Sequence, residues 1–341
     1  MKKGTIVLVV VLFAGMVAWT GCKERATVGQ DAVEGTITIS GAWALYPMVV
    51  RWGEEFQKIH PKVKVDVAAG GAGKGVADAI AGVVDLGMVS RAVAQAEVDK
   101  GAWWVSVTKD AVIPTVNEKN PLLAELLSKG LTRQAFVGIW IDGKIETWSA
   151  ALGGLDSGNP IHVYTRSDAC GAAQTWAEYL GGKQEDLRGV GVYGDPGLTE
   201  AVGKDMLGIG FNNVNYAYDA KSLQAIKGIK VLPLDLNGDR QIDPNEDFYQ
   251  NRDVLMAAIA AGKYPSPPAR DLHLVSGGKP KKAVVLEFLK WVLTDGQKYV
   301  PDAGYINLTQ AKLTEQVDKL EGKTVTTSEP KPETKPESGT K

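Results

Sequence analysis

Cysteine and histidine are scarce in this chain. Of 341 residues only two are cysteines, Cys22 and Cys170, too few for a disulfide scaffold. Only three are histidines (His60, His162 and His273), which leaves little for a zinc or iron centre. An excess of one charge is missing too: 38 Lys and Arg face 40 Asp and Glu, a formal net charge of −2. Without a basic face, no nucleic-acid partner is expected. The apolar run at residues 5–19 falls short of the ~20 residues of a comfortable membrane span. What is present is ordinary globular material: 44% apolar and 23% charged, enough to build real cores and unlike a disordered or collagen-like chain.

The two ends read as processing and tail segments. Lys2 and Lys3 precede the apolar run, which leads to Thr20-Gly21-Cys22. This has the shape of a secretory signal over residues 1–21. Small residues before a cysteine resemble a bacterial lipobox, in which Cys22 is lipidated. The protein is therefore expected to be exported to the periplasm or cell surface and anchored there by lipid. Residues 22–35 read as a polar linker and residues 321–341 as a disordered tail, with three prolines and one apolar residue in the last 18. About 285 residues remain, enough for two domains at roughly 150 residues each.

That body alternates strand and helix patterns. Ile37 and Ile39 share one face of a strand, and Leu45, Val49, Trp52, Phe56 and Ile59 fall on one helical stripe. Val63, Val65 and Val67 mark a second strand, followed by a helix over 75–84 with Val76, Ile80 and Val83 on one side. Strands are predicted at 85–89, 103–107, 112–117, 161–165, 229–234 and 272–275, and helices at 173–181, 253–261 and 281–293. Such alternation implies an α/β architecture with largely parallel sheets.

Three places share one grammar: a strand, a turn of small residues, then a helix. They are Gly41-Ala42-Trp43-Ala44, Gly70-Gly71-Ala72-Gly73-Lys74-Gly75 and Asp168-Ala169-Cys170-Gly171-Ala172. Small residues let backbone N–H groups approach a ligand, and each helix N-terminus adds about half a positive charge. Arg91 and Arg166 stand beside two of these turns. The pattern suits an anion.

In these segments the chain resembles the periplasmic phosphate-binding proteins of ABC importers. The likeness runs from about residue 36 to 308. It continues through Val84-Asp85-Leu86-Gly87-Met88-Val89-Ser90-Arg91, Trp148 with Gly153-Gly154, the stretch 166–172, Gly208-Ile209-Gly210-Phe211, and 288–297 ahead of Gly304-Tyr305. The resemblance implies a two-lobed type II periplasmic binding fold, each lobe a mostly parallel sheet flanked by helices. Lobe 1 would be 36–114 plus 270–320 and lobe 2 would be 115–269, with crossover strands as hinge. It implies a monomeric, non-enzymatic protein that captures inorganic phosphate, or a related oxyanion, in the cleft and docks on an inner-membrane permease. Carried over by position, the ligand groups are Ala42, Trp43, Ala44, Gly71, Ala72, Gly73, Ser90, Arg91, Arg166, Asp168, Cys170, Gly171 and Ala172. Asp168 would hold Arg166 or accept a proton from the ligand. The family carries Ser or Thr where this chain has Ala44 or Leu45, Ala72, Cys170 and Ala172, so a different anion, or a sensory role, stands as the alternative.

Two further features are read from the residues alone. Cys170, at a helix N-terminus near Arg166, is expected to have a depressed pKa and offers a rival reading as a Cys hydrolase; that reading needs a base nearby, and His162 lies on the preceding strand with nothing in the sequence to place it beside Cys170. The segment 235–246, Asp-Leu-Asn-Gly-Asp-Arg-Gln-Ile-Asp-Pro-Asn-Glu, has the spacing of a calcium loop, with Asp235, Asn237, Asp239 and Glu246 as candidate ligands. Arg240 stands where that loop has Gly. No other cofactor is indicated.

Overall fold

The computed structural model describes residues 33–155 and 157–323. The signal segment, Cys22, most of the linker and the tail from residue 324 lie outside the described residues.

Eleven strands occur among the described residues. β1 (Gly35–Gly41), β2 (Val63–Ala69), β3 (Leu86–Val89) and β4 (Ala102–Asn117) come first. β5 (Leu131–Thr132), β6 (His162–Arg166), β7 (Val190–Val192) and β8 (Gly208–Asn213) follow, then β9 (Ile229–Val231), β10 (Leu234–Asp235) and β11 (Ala269–Gly277). The main sheet runs β2-β1-β3-β11-β4-β8-β6-β7, with β9 also against β4; β10 and β5 form a small parallel pair. β2, β1 and β3 are parallel, as are β8, β6 and β7. Between these blocks, β11 and β4 run antiparallel to their neighbours.

The buried side chains form two cores. The first takes residues up to Val107 and resumes at Leu272; the second runs from Ala111 to Ala269. Among the described residues, β4 and β11 are the strands that carry residues of both. The sequence pattern suggests two strands at 103–107 and 112–117, yet β4 is one 16-residue strand. Its polar middle, Thr108 to Asp110, stays extended because it passes from one core to the other, where polar partners meet it.

Aromatic residues fill each core. In the first, Phe56 meets Phe288 edge-on at 5.2 Å, and the Trp52 indole donates to the Gly296 carbonyl at 2.8 Å. In the second, Trp176 lies 5.5 Å from Trp140 and stacks on Phe211. The predicted stripe on helix Tyr46–Ile59 is buried at Val49, Trp52 and Phe56, but Ile59, its last residue, is exposed. The helix placed at 75–84 spans Ala72–Ile80 instead, leaving Val83 in an exposed turn. It starts three residues early because Gly71, at φ +87°, already makes the break that the glycine run supplies.

Candidate functional site

The seam between the two cores collects the starts of three helical segments. After β1 the chain turns through Ala42 into the short helix Trp43–Leu45; after β2 it turns at Gly71 into Ala72–Ile80; after β6 it turns into Gly171–Leu180. The last begins two residues before its predicted start, with Cys170 as its cap: the Ala173 amide donates to Cys170 Sγ at 3.4 Å. The first amides of a helix have no partner within it. Ala42, Trp43, Ala44, Ala72, Ser90, Arg166, Cys170, Gly171 and Ala172 all line one constriction, joined by Asp195 and Asn213.

Arg166 ends β6 with its guanidinium fully buried. It forks onto Asp168, Nε to Oδ1 at 2.7 Å and Nη2 to Oδ2 at 2.6 Å, while Nη1 reaches Asp195 Oδ2 at 2.5 Å. Burial opposes its charge, but Asp195 and the other negative groups outweigh that penalty and hold it protonated. Asp195 Oδ1 accepts from the Asn213 amide at 2.9 Å. A second guanidinium stands behind: Arg270 donates to Asp110 Oδ1 at 2.8 Å, to the Ser90 carbonyl at 3.1 Å and to Asn213 Oδ1. Asp110 Oδ2 is buried without a hydrogen-bond partner, and burial pushes this carboxyl up to about 7 against the pull of Arg270. Two cations thus face three carboxyl groups.

The seam is shut. It encloses no volume that a water could fill. Gly73 donates its amide across it to the Ala169 carbonyl at 3.1 Å, and a Cβ on Gly171 would lie 2.3 Å from Ser90 O. Gly71 and Gly73 therefore contribute the closing contact with residues 168–169 rather than lining the constriction.

Arg91 does not join this group. Its guanidinium forks onto Glu97 at 2.8 and 2.6 Å and bonds the Ala92 carbonyl. Cys170 also departs from expectation: burial pushes its thiol up to about 12, against the pull of Arg166. His162 is exposed and bonded through Nδ1 to Asp205 at 2.7 Å, so the histidine of that reading is engaged elsewhere. Asp235, Asn237, Asp239 and Glu246 share one loop of the second core and are absent from the seam.

Asp195, Asn213, Asp110 and Arg270 escape the sequence reading. Asp195 had a partial signal: the strand Val190–Val192 leads through Tyr193 into the helix Gly194–Lys204, the same strand, turn, helix order with an aromatic residue in place of the small turn.

The family model of the PBP superfamily domain matches residues 26–296, most of the chain. The protein belongs to the PBP superfamily. Relatives within reach of sequence comparison include phosphate-binding protein PstS of Methanocaldococcus jannaschii, 26% identical over 89% of this chain and 92% of that protein. PstS of Bacillus subtilis is 25% identical over 92% and 97%. Among solved structures, a protein assigned as a phosphate ABC transporter substrate-binding protein from Clostridium perfringens, with bound phosphate, superposes with a TM-score of 0.65 at 22% identity, covering 81% of this chain and all of that one. An ABC-type phosphate transport receptor from Vibrio cholerae gives 0.56 at 20%, covering 80% and all of it. These structural likenesses show the fold: the two-lobed PBP superfamily arrangement, with the seam described above lying between the lobes.

Proposed function

We propose that this protein captures phosphate, or a closely related oxyanion, between its lobes outside the cytoplasm and delivers it as a monomer to an ABC permease, performing no chemistry of its own. One observation carries the reading: two helix starts, Ala72 from one lobe and Gly171 from the other, meet Ser90 and the buried Arg166 at a single seam. Each helix start offers amides and about half a positive charge, and Arg166 adds a full one. The names of the relatives point the same way. The signal-like residues 1–21 and Cys22 support export and lipid anchoring, and no helix among the described residues is long and apolar enough to cross a membrane. The buried, high-pKa Cys170 weighs against a hydrolase.

Because the seam is closed and Arg166 is already held by two carboxylates, the anion enters only when the lobes part, and it must share Arg166 with Asp168 and Asp195. An oxyanion that still carries a proton can donate it to one of these carboxylates. Sulfate, fully ionised at neutral pH, can only accept, and the carboxylates repel it. The site accordingly favours phosphate over sulfate. The test is a thermal shift of the purified protein with phosphate, sulfate, molybdate, tungstate and small carboxylates. Phosphate should give the largest rise, and Arg166→Ala, checked for folding by circular dichroism, should abolish it. If Arg166→Ala leaves every observed shift intact, the site lies elsewhere.

A further inference from the structure

Glu246 is 4% exposed, and only one of its carboxyl oxygens is satisfied. Oε1 accepts from the amides of Leu236 and Asn237 at 2.8 and 3.1 Å, which turns the carboxyl into the loop 235–246. Oε2 is buried with no hydrogen-bond partner. A buried carboxylate oxygen without a donor or cation is costly, and native proteins rarely leave one so.

The loop around it is built of oxygen. Asp235, also buried, closes β10 and accepts from the amides of Gly238 at 2.7 Å and Arg240 at 3.0 Å. Asn237 Oδ1, Asp239 and Asp243 lie at the third, fifth and ninth positions, and Glu246 at the twelfth. At the sixth, Arg240 takes φ +63°, the left-handed turn that a calcium loop makes with glycine. The Arg240 guanidinium does not supply the missing cation: it turns away to the Gly153 carbonyl, 3.4 Å from Nη1.

We propose that loop 235–246 binds a calcium ion. Asp235, Asn237 and Asp239 give side-chain oxygens, Gln241 its carbonyl, Asp243 an oxygen directly or through water, and Glu246 both carboxyl oxygens. An all-oxygen set suits calcium rather than a transition metal, and a loop offering this many oxygens suits magnesium poorly because magnesium demands a tighter octahedron. Among the described residues no three His, Cys, Asp or Glu groups stand gathered to hold a metal. Binding therefore draws the exposed Asp239 and half-buried Asp243 inward onto the buried pair. The ion would lock the second lobe: β10 pairs with β5, the Ile242 amide bonds the Ser128 carbonyl at 2.9 Å, and the Leu234 amide donates to the Tyr249 hydroxyl at 3.1 Å.

The full-length protein, stripped with chelator, is melted against rising calcium chloride and, separately, magnesium chloride, with calorimetric titration of calcium alongside. Calcium should bind one-to-one with a Kd of about 0.1–1 mM, as in extracellular modules, and raise Tm by about 2–4 °C at ten times that concentration. Magnesium at equal concentration should do much less. Glu246→Gln and the solvent-exposed variant Asp239→Ala should each lose the calcium-dependent rise, and Asp239→Ala should keep the phosphate response. No heat and no shift in the parent up to about 10 mM calcium overturns the proposal. So does a rise that survives in both variants, or one that magnesium reproduces in full.

Discussion

At the scale of single residues, burial decides chemistry at this seam. A thiol capping a helix beside an arginine is ordinarily acidified. Cys170 has both neighbours, but it is 5% exposed, and desolvation exceeds the help of Arg166 while Asp168 and Asp195 push the same way as burial. The thiolate is therefore not populated at neutral pH. Iodoacetamide at neutral pH should alkylate Cys170 at least ~100-fold more slowly in the folded protein than in urea, because reaction waits for opening of the lobe. Rapid labelling of the folded protein would contradict this burial and revive a nucleophilic role.

The same scale explains which site residues were readable. Ser90 and Arg91 lie in the bend that directly follows β3, and adjacent residues in a bend need not share a face. Ser90 turns into the seam and Arg91 turns out to Glu97, a divergence that a motif spanning both residues hides. Arg166 was readable because it ends a strand before a small-residue turn. Arg270 and Asp110 were not: they sit inside strands whose pattern otherwise reads as core, and their pairing comes from antiparallel register between segments 160 residues apart.

At the scale of elements, the strand, turn, helix grammar located the loops that meet, and it misplaced their helix starts by two or three residues. Local pattern shows apolar stripes, whereas the starts here consist of Ala and Gly chosen by what lies across the seam. Gly171 is the sharpest case. It has ordinary helical backbone, so nothing local requires glycine; the requirement comes from the carbonyl of Ser90, 2.3 Å from where a Cβ would sit. That neighbour is main chain and cannot swing aside. Gly171→Ala should cost about 1–3 kcal/mol in the closed form, the usual range for overpacking. If closure is what retains the anion, phosphate affinity should fall by roughly the corresponding tenfold or more. Calorimetric titration measures the affinity, and small-angle scattering should show a larger radius of gyration in the variant with phosphate present. Unchanged affinity and radius would mean that the lobes do not close on this contact when the anion is held.

At the scale of the whole molecule, β4 and β11 are the strands that belong to both cores, and their crossing holds the Asp110–Arg270 pair in direct register. Arg270 ties Ser90 of the first lobe to Asn213 of the second, so any parting of the lobes rearranges its bonds. Its partner Asp110 titrates in a window where the unfolded chain does not. Burial raises this carboxyl from 3.8 to about 7, so between those values the folded protein holds a proton that the unfolded chain has released. The sign follows from linkage: a raised folded pKa contributes stability that is complete below 3.8 and is lost as pH climbs towards about 7. His273 works in the opposite sense. Burial lowers it to about 4, so it favours the fold above its ordinary pKa of 6.5 and weakens it as pH falls towards 4. The parent protein sums both slopes. In Asp110→Asn the carboxyl slope is gone and that of His273 remains. The difference in unfolding free energy, variant minus parent, should therefore rise with pH from about 4 to about 7, at no more than about 1.4 kcal/mol per pH unit. The absolute level of the variant will be lower wherever Asp110 is ionised, since Arg270 then loses its counter-ion, and only the slope isolates the titration. Urea unfolding of both proteins across that range supplies it. A flat difference would mean that Asp110 is ionised throughout, and that Arg270 compensates its burial in full.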